Sequence, residues 1–332
     1  MNQTLGLIPA SVLVFAAVTL LVSLLGAMLY VPMRRYLRRL PPAAEAGLLL
    51  AFAGAPALAG LSLVALALSP SLAHLLGIAV DHCHQHGHHA HFCPTHTPLW
   101  VGSSLDWLIL TAAVLAVASM AGDLPRRLWR VRRTVRILER LHQSSPKSES
   151  WGVVDTDAPL AVTAGLIRPR IYLSTRLLDA LSPTELAVVV EHEQAHRRRR
   201  EGPRQLVAEL LARMHLAPIR KRLLADLSLA SERACDEEAA LAASGRLGVA
   251  QTLLKVARLN GAHPEPSDAL LPTVTGADLE ARVEAMLRPA SAQRPMLRPL
   301  FFLGASLVLA FGGIHADRLH HGIESALHLL IL

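Results

Sequence analysis

From Leu5 to Val31 the chain carries no charged residue, and that single run limits the folds open to it. About 20 apolar residues in a helix cross the ~30 Å hydrocarbon layer of a bilayer, so a run of this length reads as a membrane span. It is too long for a cleaved signal peptide and lacks the basic start of one. A second uncharged run extends from Ala46 to Ser69 and beyond, with glycines and prolines that a membrane helix tolerates. A third, Leu99 to Gly122, has Asp106 near one end and Trp100 and Trp107 suited to an interface. Composition agrees: of 332 residues 52% are hydrophobic and only 18% charged, with a mean hydropathy of +0.36.

The net charge of +7 would suggest nucleic acid in a soluble chain. Here the arginines sit beside the apolar runs, as Arg34, Arg35, Arg38 and Arg39, then Arg126, Arg127, Arg130, Arg132, Arg133 and Arg136. By the positive-inside rule these ends face the cytoplasm, the amino terminus lies outside, and no direct nucleic-acid partner is expected. The loop from Pro70 to Pro98 has no lysine or arginine, which fits the outer side. A fourth apolar run, Leu300 to Ile314, is short, and is expected to cross by bilayer thinning or helix packing.

The outer loop holds His82, Cys83, His84, His86, His88, His89, His91, Cys93 and His96. Imidazole and thiolate at this density suit copper, zinc or nickel, set against the plainer reading of a polar connector. After the fourth run, Asp317, His321, Glu324 and His328 fall at spacings that align them on one helix face, with His320 adjacent. Leu319, Ile323, Ala326, Leu327 and Leu330 supply an apolar side for a membrane surface. Loop and tail are therefore expected on one side, as a metal-responsive unit that could include His321 and His328. With three cysteines, two of them in this loop, no disulfide scaffold is expected.

Between the third and fourth runs the pattern changes. Trp151 to Val154, Leu160 to Thr163 and Arg170 to Ser174 read as short strands of a small antiparallel sheet. Ser182-Pro183-Thr184-Glu185 is a capping-box start for a helix that carries Glu191-His192-Glu193-Gln194-Ala195-His196 and four arginines. His192 and His196, one turn apart, project from one face and can meet at a tetrahedral zinc, while Glu193 stands beside them as general base. This is the H-E-x-x-H arrangement of zinc metallopeptidases. Further on, Glu232 and Asp236 share a helix face. Glu232 would complete a His, His, Glu site, and Asp236 would accept a hydrogen bond from the outer nitrogen of a ligand histidine. Asp236 or Cys235 is the alternative third ligand. Leu223, Leu227, Ala230 and Ala234 give the same helix an apolar side that something must cover.

The blocks Ala158-Pro159, Gly165 to Leu173, Leu181 to Leu186, His192 to His196 and Glu232 to Glu237 occur together in one order, and the stretch from Trp151 to Gly245 resembles the BlaR/MecR-type integral-membrane metallopeptidases. The resemblance implies His192, His196 and Glu232 as zinc ligands and Glu193 as acid/base. It also implies a signalling role in which an outside stimulus triggers cleavage of a cytoplasmic transcriptional repressor. Arg197 and Glu201 depart from the usual pattern, and neither is expected to touch a ligand. No large carboxy-terminal sensor domain is expected, and with it no β-lactam recognition.

The expected fold is a mainly α membrane protein: four transmembrane helices with a cytoplasmic α+β zincin-like metallopeptidase domain. The expected segments are 1–40 (first span and basic turn), 41–69 (second span), 70–98 (His/Cys-rich loop) and 99–122 (third span). Then come 123–298 (peptidase), 299–315 (fourth span) and 316–332 (amphipathic tail). The expected setting is a bacterial inner membrane, with zinc as cofactor, a protein or peptide substrate, the lipid bilayer and outer metal ions as partners. Rival expectations are a membrane quality-control peptidase of the HtpX or CAAX-protease kind, and a non-enzymatic metal sensor.

Overall fold

A computed structural model describes residues 5–78, 92, 97–143, 151–261, 276–289 and 313–331. The His/Cys-rich loop (apart from Phe92), the linker 144–150, the loop 262–275 and most of the fourth apolar run lie outside the described residues. The two longest helices come first, α1 (Leu7–Leu37) and α2 (Pro42–Leu75), joined by a tight turn at Arg38 to Pro41. Pro42 opens α2 at a position where its missing N–H costs nothing. The antiparallel pair packs closely: a Cβ on Gly60 would stand 2.7 Å from Phe15, so only glycine fits there. Leu20, Leu21, Leu24, Leu25, Met28 and Leu29 of α1 stay exposed, an apolar surface suited to lipid rather than water.

Next come α3 (Ser104–Ala121) and α4 (Leu124–Leu141). Ser103 and Asp106 form a capping box at the start of α3, and Asp106 also accepts the Gly6 N–H at 3.0 Å, which ties α3 to the start of α1. Among the described residues three stretches are long and apolar enough to cross a membrane: Leu7–Leu37, Pro42–Leu75 and Ser104–Leu141.

The remaining elements form the domain that carries the sequence motif. Strands β1 (His142–Gln143), β2 (Trp151–Val154), β3 (Ala161–Ala164) and β4 (Arg170–Ser174) make one sheet in the order β1-β2-β4-β3. The expected all-antiparallel sheet is corrected here, because β2 and β4 run parallel. The cause is in the short connection from β2 to β3: it passes round the end of β4, where Ser174 N–H donates to Leu160 C=O at 2.8 Å and Leu160 N–H to Ser174 Oγ at 2.9 Å. Strand β4 therefore inserts between the two arms of a β2–β3 hairpin, and β3 becomes an edge.

Helices α5 (Thr175–Ala180), α6 (Pro183–Arg199), α7 (Glu201–Leu211), α8 (Ala217–Ala242), α9 (Gly245–Gly261), α10 (Gly276–Leu287) and α11 (Ala316–Ile331) complete the described chain. The Ser182–Glu185 capping box of α6 forms as expected. Leu223, Leu227 and Ala230 of α8, the apolar side that needed a cover, pack on Tyr30, Ala46, Leu49 and Ala53 of the α1–α2 pair. Their cover is thus the base of the membrane hairpin.

Polar contacts lock that junction. Asp226 of α8, 5% exposed, accepts from Tyr30 Oη at 2.8 Å, from Arg34 Nη2 at 2.7 Å and from Arg38 Nη2 at 3.1 Å. Seven residues later Arg233 pairs with Glu45 of α2 at 3.1 Å. Burial would push the Asp226 carboxyl up, but the Arg34 and Tyr30 hydrogen bonds outweigh it and hold it below the usual range. Asp226→Ala orphans the buried Tyr30 hydroxyl, while the two arginines, each more than a third exposed, can turn to water. The expected loss is about 1–3 kcal/mol, read as a lower melting temperature in detergent. An unchanged melting temperature contradicts this account of the junction.

Candidate metal centre

Helix α6 presents His192 and His196 from one face, their Nε2 atoms 3.0 Å apart and their rings at 76°. Across from them α8 brings Glu232, with Oε2 3.4 Å from His192 Nε2 and Oε1 3.6 Å from His196 Nε2. Three donors of a tetrahedral zinc site stand about 3.3 Å from one another, given metal–ligand bonds near 2.0–2.1 Å. The structure thus brings Glu232 together with the two histidines.

The outer nitrogens explain why the inner ones converge. His192 Nδ1 lies 3.0 Å from Asp236 Oδ1, and His196 Nδ1 lies 2.8 Å from Glu201 Oε2. Ionised carboxylates only accept, so each Nδ1 carries a proton, and in the neutral ring that leaves Nε2 with a lone pair. Two lone pairs and a carboxylate aimed at one point fit a cation between them. The structure places Asp236 against the outer nitrogen of His192, whereas Glu201, against His196, corrects the reading that neither departure from the family pattern touches one of the motif histidines. The backbone explains Glu201: Arg200 sits in the left-handed region at φ 51°, ending α6 and starting α7. That reversal turns Glu201 back onto the preceding turn.

Two further residues are new. Arg282 of α10, 5% exposed, lies 2.9 Å from Glu232 Oε2 and binds Asp236 in bidentate fashion at 2.8 and 2.7 Å. Thr163 of β3 places its hydroxyl 2.7 Å from Glu193 Oε2 and 2.9 Å from the Glu193 C=O, so its single proton serves one at a time. Neither was legible, because both meet the motif only through the tertiary fold. Burial pushes Glu232 and Asp236 up, but the His192 hydrogen bond and the Arg282 guanidinium outweigh it and hold both below the usual carboxylate range. Burial lowers His192, yet its bonds to Asp236 and Glu232 outweigh that and raise it. Burial pushes the Cys235 thiol far up, which disfavours the thiolate a metal would need. Cys235 also groups with His196 and Glu201 rather than with His192 and Glu232.

The centre opens into a cavity of about 1010 Å³ whose walls include His192, Glu193, the edge strand β3 and Leu128, Val131 and Val135 of α4. Helix α4, expected only as a basic anchor, therefore also forms one side of the space in front of the centre. Elsewhere, the loop residues His82 to His96 lie outside the described residues, as do the side chains of Asp317 and His328. His321 stands with His320 and Glu324 on α11, in a group separate from that of His192.

A helical membrane protein with a His, His, Glu centre facing a cavity is the arrangement of a membrane metallopeptidase. The chain belongs to the BlaR1 peptidase M56 family, whose model matches residues 14–286, and a metal follows from that membership and the His192, His196 and Glu232 donors. No curated protein and no solved structure matches the chain.

Glu201→Gln keeps the size of the side chain but removes the charge behind His196. The expected result is a roughly tenfold weaker zinc affinity, by analogy with other outer-shell carboxylates, with saturation still reached at high zinc. Unchanged affinity in a competitive chelator titration contradicts the role given to Glu201.

Proposed function

We propose that the protein is a zinc-dependent integral-membrane endopeptidase. The observation that carries this reading is the convergence of His192 Nε2, His196 Nε2 and the Glu232 carboxylate beside Glu193 and a cavity. His192, His196 and Glu232 would hold zinc, which supplies Lewis acidity to polarise a peptide carbonyl and make water acidic. Glu193 takes the proton from the attacking water and passes it to the leaving amine. The Thr163 hydroxyl orients that carboxylate. An edge of the sheet among the described residues, β3 offers backbone groups along which an extended substrate segment can add as a further strand, whatever its sequence. Leu128, Val131 and Val135 of α4, interspersed with Arg127, Arg130 and Thr134, wall the space in which the scissile bond would lie.

The substrate we favour is a cytoplasmic transcriptional repressor, cut in response to an outside stimulus. Two features support the cytoplasmic side: the ten arginines within Arg34 to Arg39 and Arg126 to Arg136, and the absence of lysine and arginine from Pro70 to Pro98. The direct contact between α8, which supplies Glu232, and the base of the α1–α2 hairpin offers a route for a signal. On this reading 299–315 completes a fourth span.

Glu193→Gln should retain zinc and lose at least a hundredfold in proteolysis of a natural substrate, since general-base catalysis contributes about 10²–10⁴. Glu232→Ala should instead lower zinc content. Substantial proteolysis by Glu193→Gln refutes the mechanism, and full zinc in Glu232→Ala refutes the ligand set. For topology, reporter fusions at Ser145 and Gly87 should report opposite sides of the membrane. The same side for both overturns the span arrangement.

A further inference from the structure

A second histidine cluster lies at the other end of the membrane hairpin. His320 of α11 contacts Ala67 of α2, which is 22 residues beyond Glu45 and hence ~33 Å along the helix from the junction with α8. His320 is 1% exposed, and its Nδ1 is 2.8 Å from the Ala67 C=O. A carbonyl only accepts, so Nδ1 carries a proton. Nε2 then faces Glu324 Oε1 at 3.2 Å. On the other side of that carboxylate, His321 Nδ1 is 3.2 Å from Oε2, and the Phe92 N–H donates to Oε1 at 2.9 Å. One ligand atom from each of His320, His321 and Glu324 lies within 4.8 Å of the others.

We propose that His320, His321 and Glu324 form a second metal site, for a divalent transition ion such as zinc, nickel or copper. A neutral His320 would aim its Nε2 lone pair at a carboxylate oxygen, which repels unless a cation lies between them. A histidine whose outer N–H is fixed on a backbone carbonyl is the usual orientation for a ligand, and nitrogen with carboxylate oxygen suits borderline ions. The donor set differs from the face the sequence suggested: the buried His320 takes part, and it ties the site to α2. A metal bound there braces α11, Phe92 and α2 together, since all three meet in one apolar cluster with Leu327 and Ala67.

The rival explanation is a protonated His320 paired with Glu324, which binds no metal. The test uses the full chain in detergent with the loop histidines and cysteines from His82 to His96 replaced by serine, so that the loop cannot bind metal. After equilibrium dialysis against buffered Zn²⁺, metal is counted by elemental analysis, and proteolysis and melting temperature are recorded. The expected content is about two zinc per chain, falling to about one in His321→Ala and in Glu324→Gln. Proteolysis should be unchanged, because the His192 centre is untouched. His321 is partly exposed, so its variant is expected to fold, and an unchanged melting temperature without zinc verifies this. The proposal is overturned if the parent holds only one zinc while still cleaving substrate. It is equally overturned if both variants keep the second ion. A parent that holds one zinc, loses it in His321→Ala and cleaves nothing contradicts the peptidase reading and leaves this site standing.

Discussion

The structure depends on what α8 does with its charged face. A carboxylate in a protein interior is costly unless a cation or several hydrogen bonds compensate it. Helix α8 buries two and partly buries a third: Asp226 is met by Arg34, Arg38 and Tyr30 of the first membrane helix, Asp236 by Arg282 and His192, and the partly buried Glu232 by Arg282 and the two histidines. Each compensation recruits a different part of the chain. One helix is thereby committed in its amino-terminal half to the membrane hairpin and in its carboxy-terminal half to the metal centre, where Arg233, next to Glu232, still reaches Glu45 of the hairpin.

That arrangement has a mechanical consequence. A rotation or shift of the α1–α2 pair changes the partners of Asp226 and Glu45, and α8 is a continuous helix from there to Glu232. Moving Glu232 by even a fraction of its 3.4–3.6 Å distance to the histidine nitrogens changes the metal geometry. On the proposed reading, the α1–α2 pair and the metal centre share one continuous helix, α8.

What could be read from the chain alone follows from how local each feature is. His192, Glu193 and His196 lie within one and a half turns, so helix periodicity fixes their relative placement before any tertiary fold exists. Glu232 and Asp236 needed a second helix to pack on the first, and their shared face pointed to them as partners of the histidines, which the packing of α8 on α6 brings alongside. Glu201 escaped because its contact with His196 depends on the left-handed backbone at Arg200. Thr163 and Arg282 escaped because they arrive from an edge strand and a later helix. The strands near Trp151, Ala161 and Arg170 were visible as short β-branched runs, but direction within a sheet is not encoded in such runs, and the insertion of β4 between β2 and β3 made it mixed. The spans of α1 and α2 were plain from charge alone. That their base would cover α8 was not, because Tyr30, Leu49 and Ala53 look like any other lipid-facing residues.

The central claim is that two imidazoles and one carboxylate hold the metal and that sulfur does not. X-ray absorption at the zinc edge tests it directly, on protein carrying Cys83→Ser and Cys93→Ser and loaded with one zinc per chain. The account predicts a first shell of nitrogen and oxygen alone at about 2.0–2.1 Å, with imidazole scattering behind it. A sulfur scatterer at about 2.3 Å would place Cys235 on the metal and contradict the account.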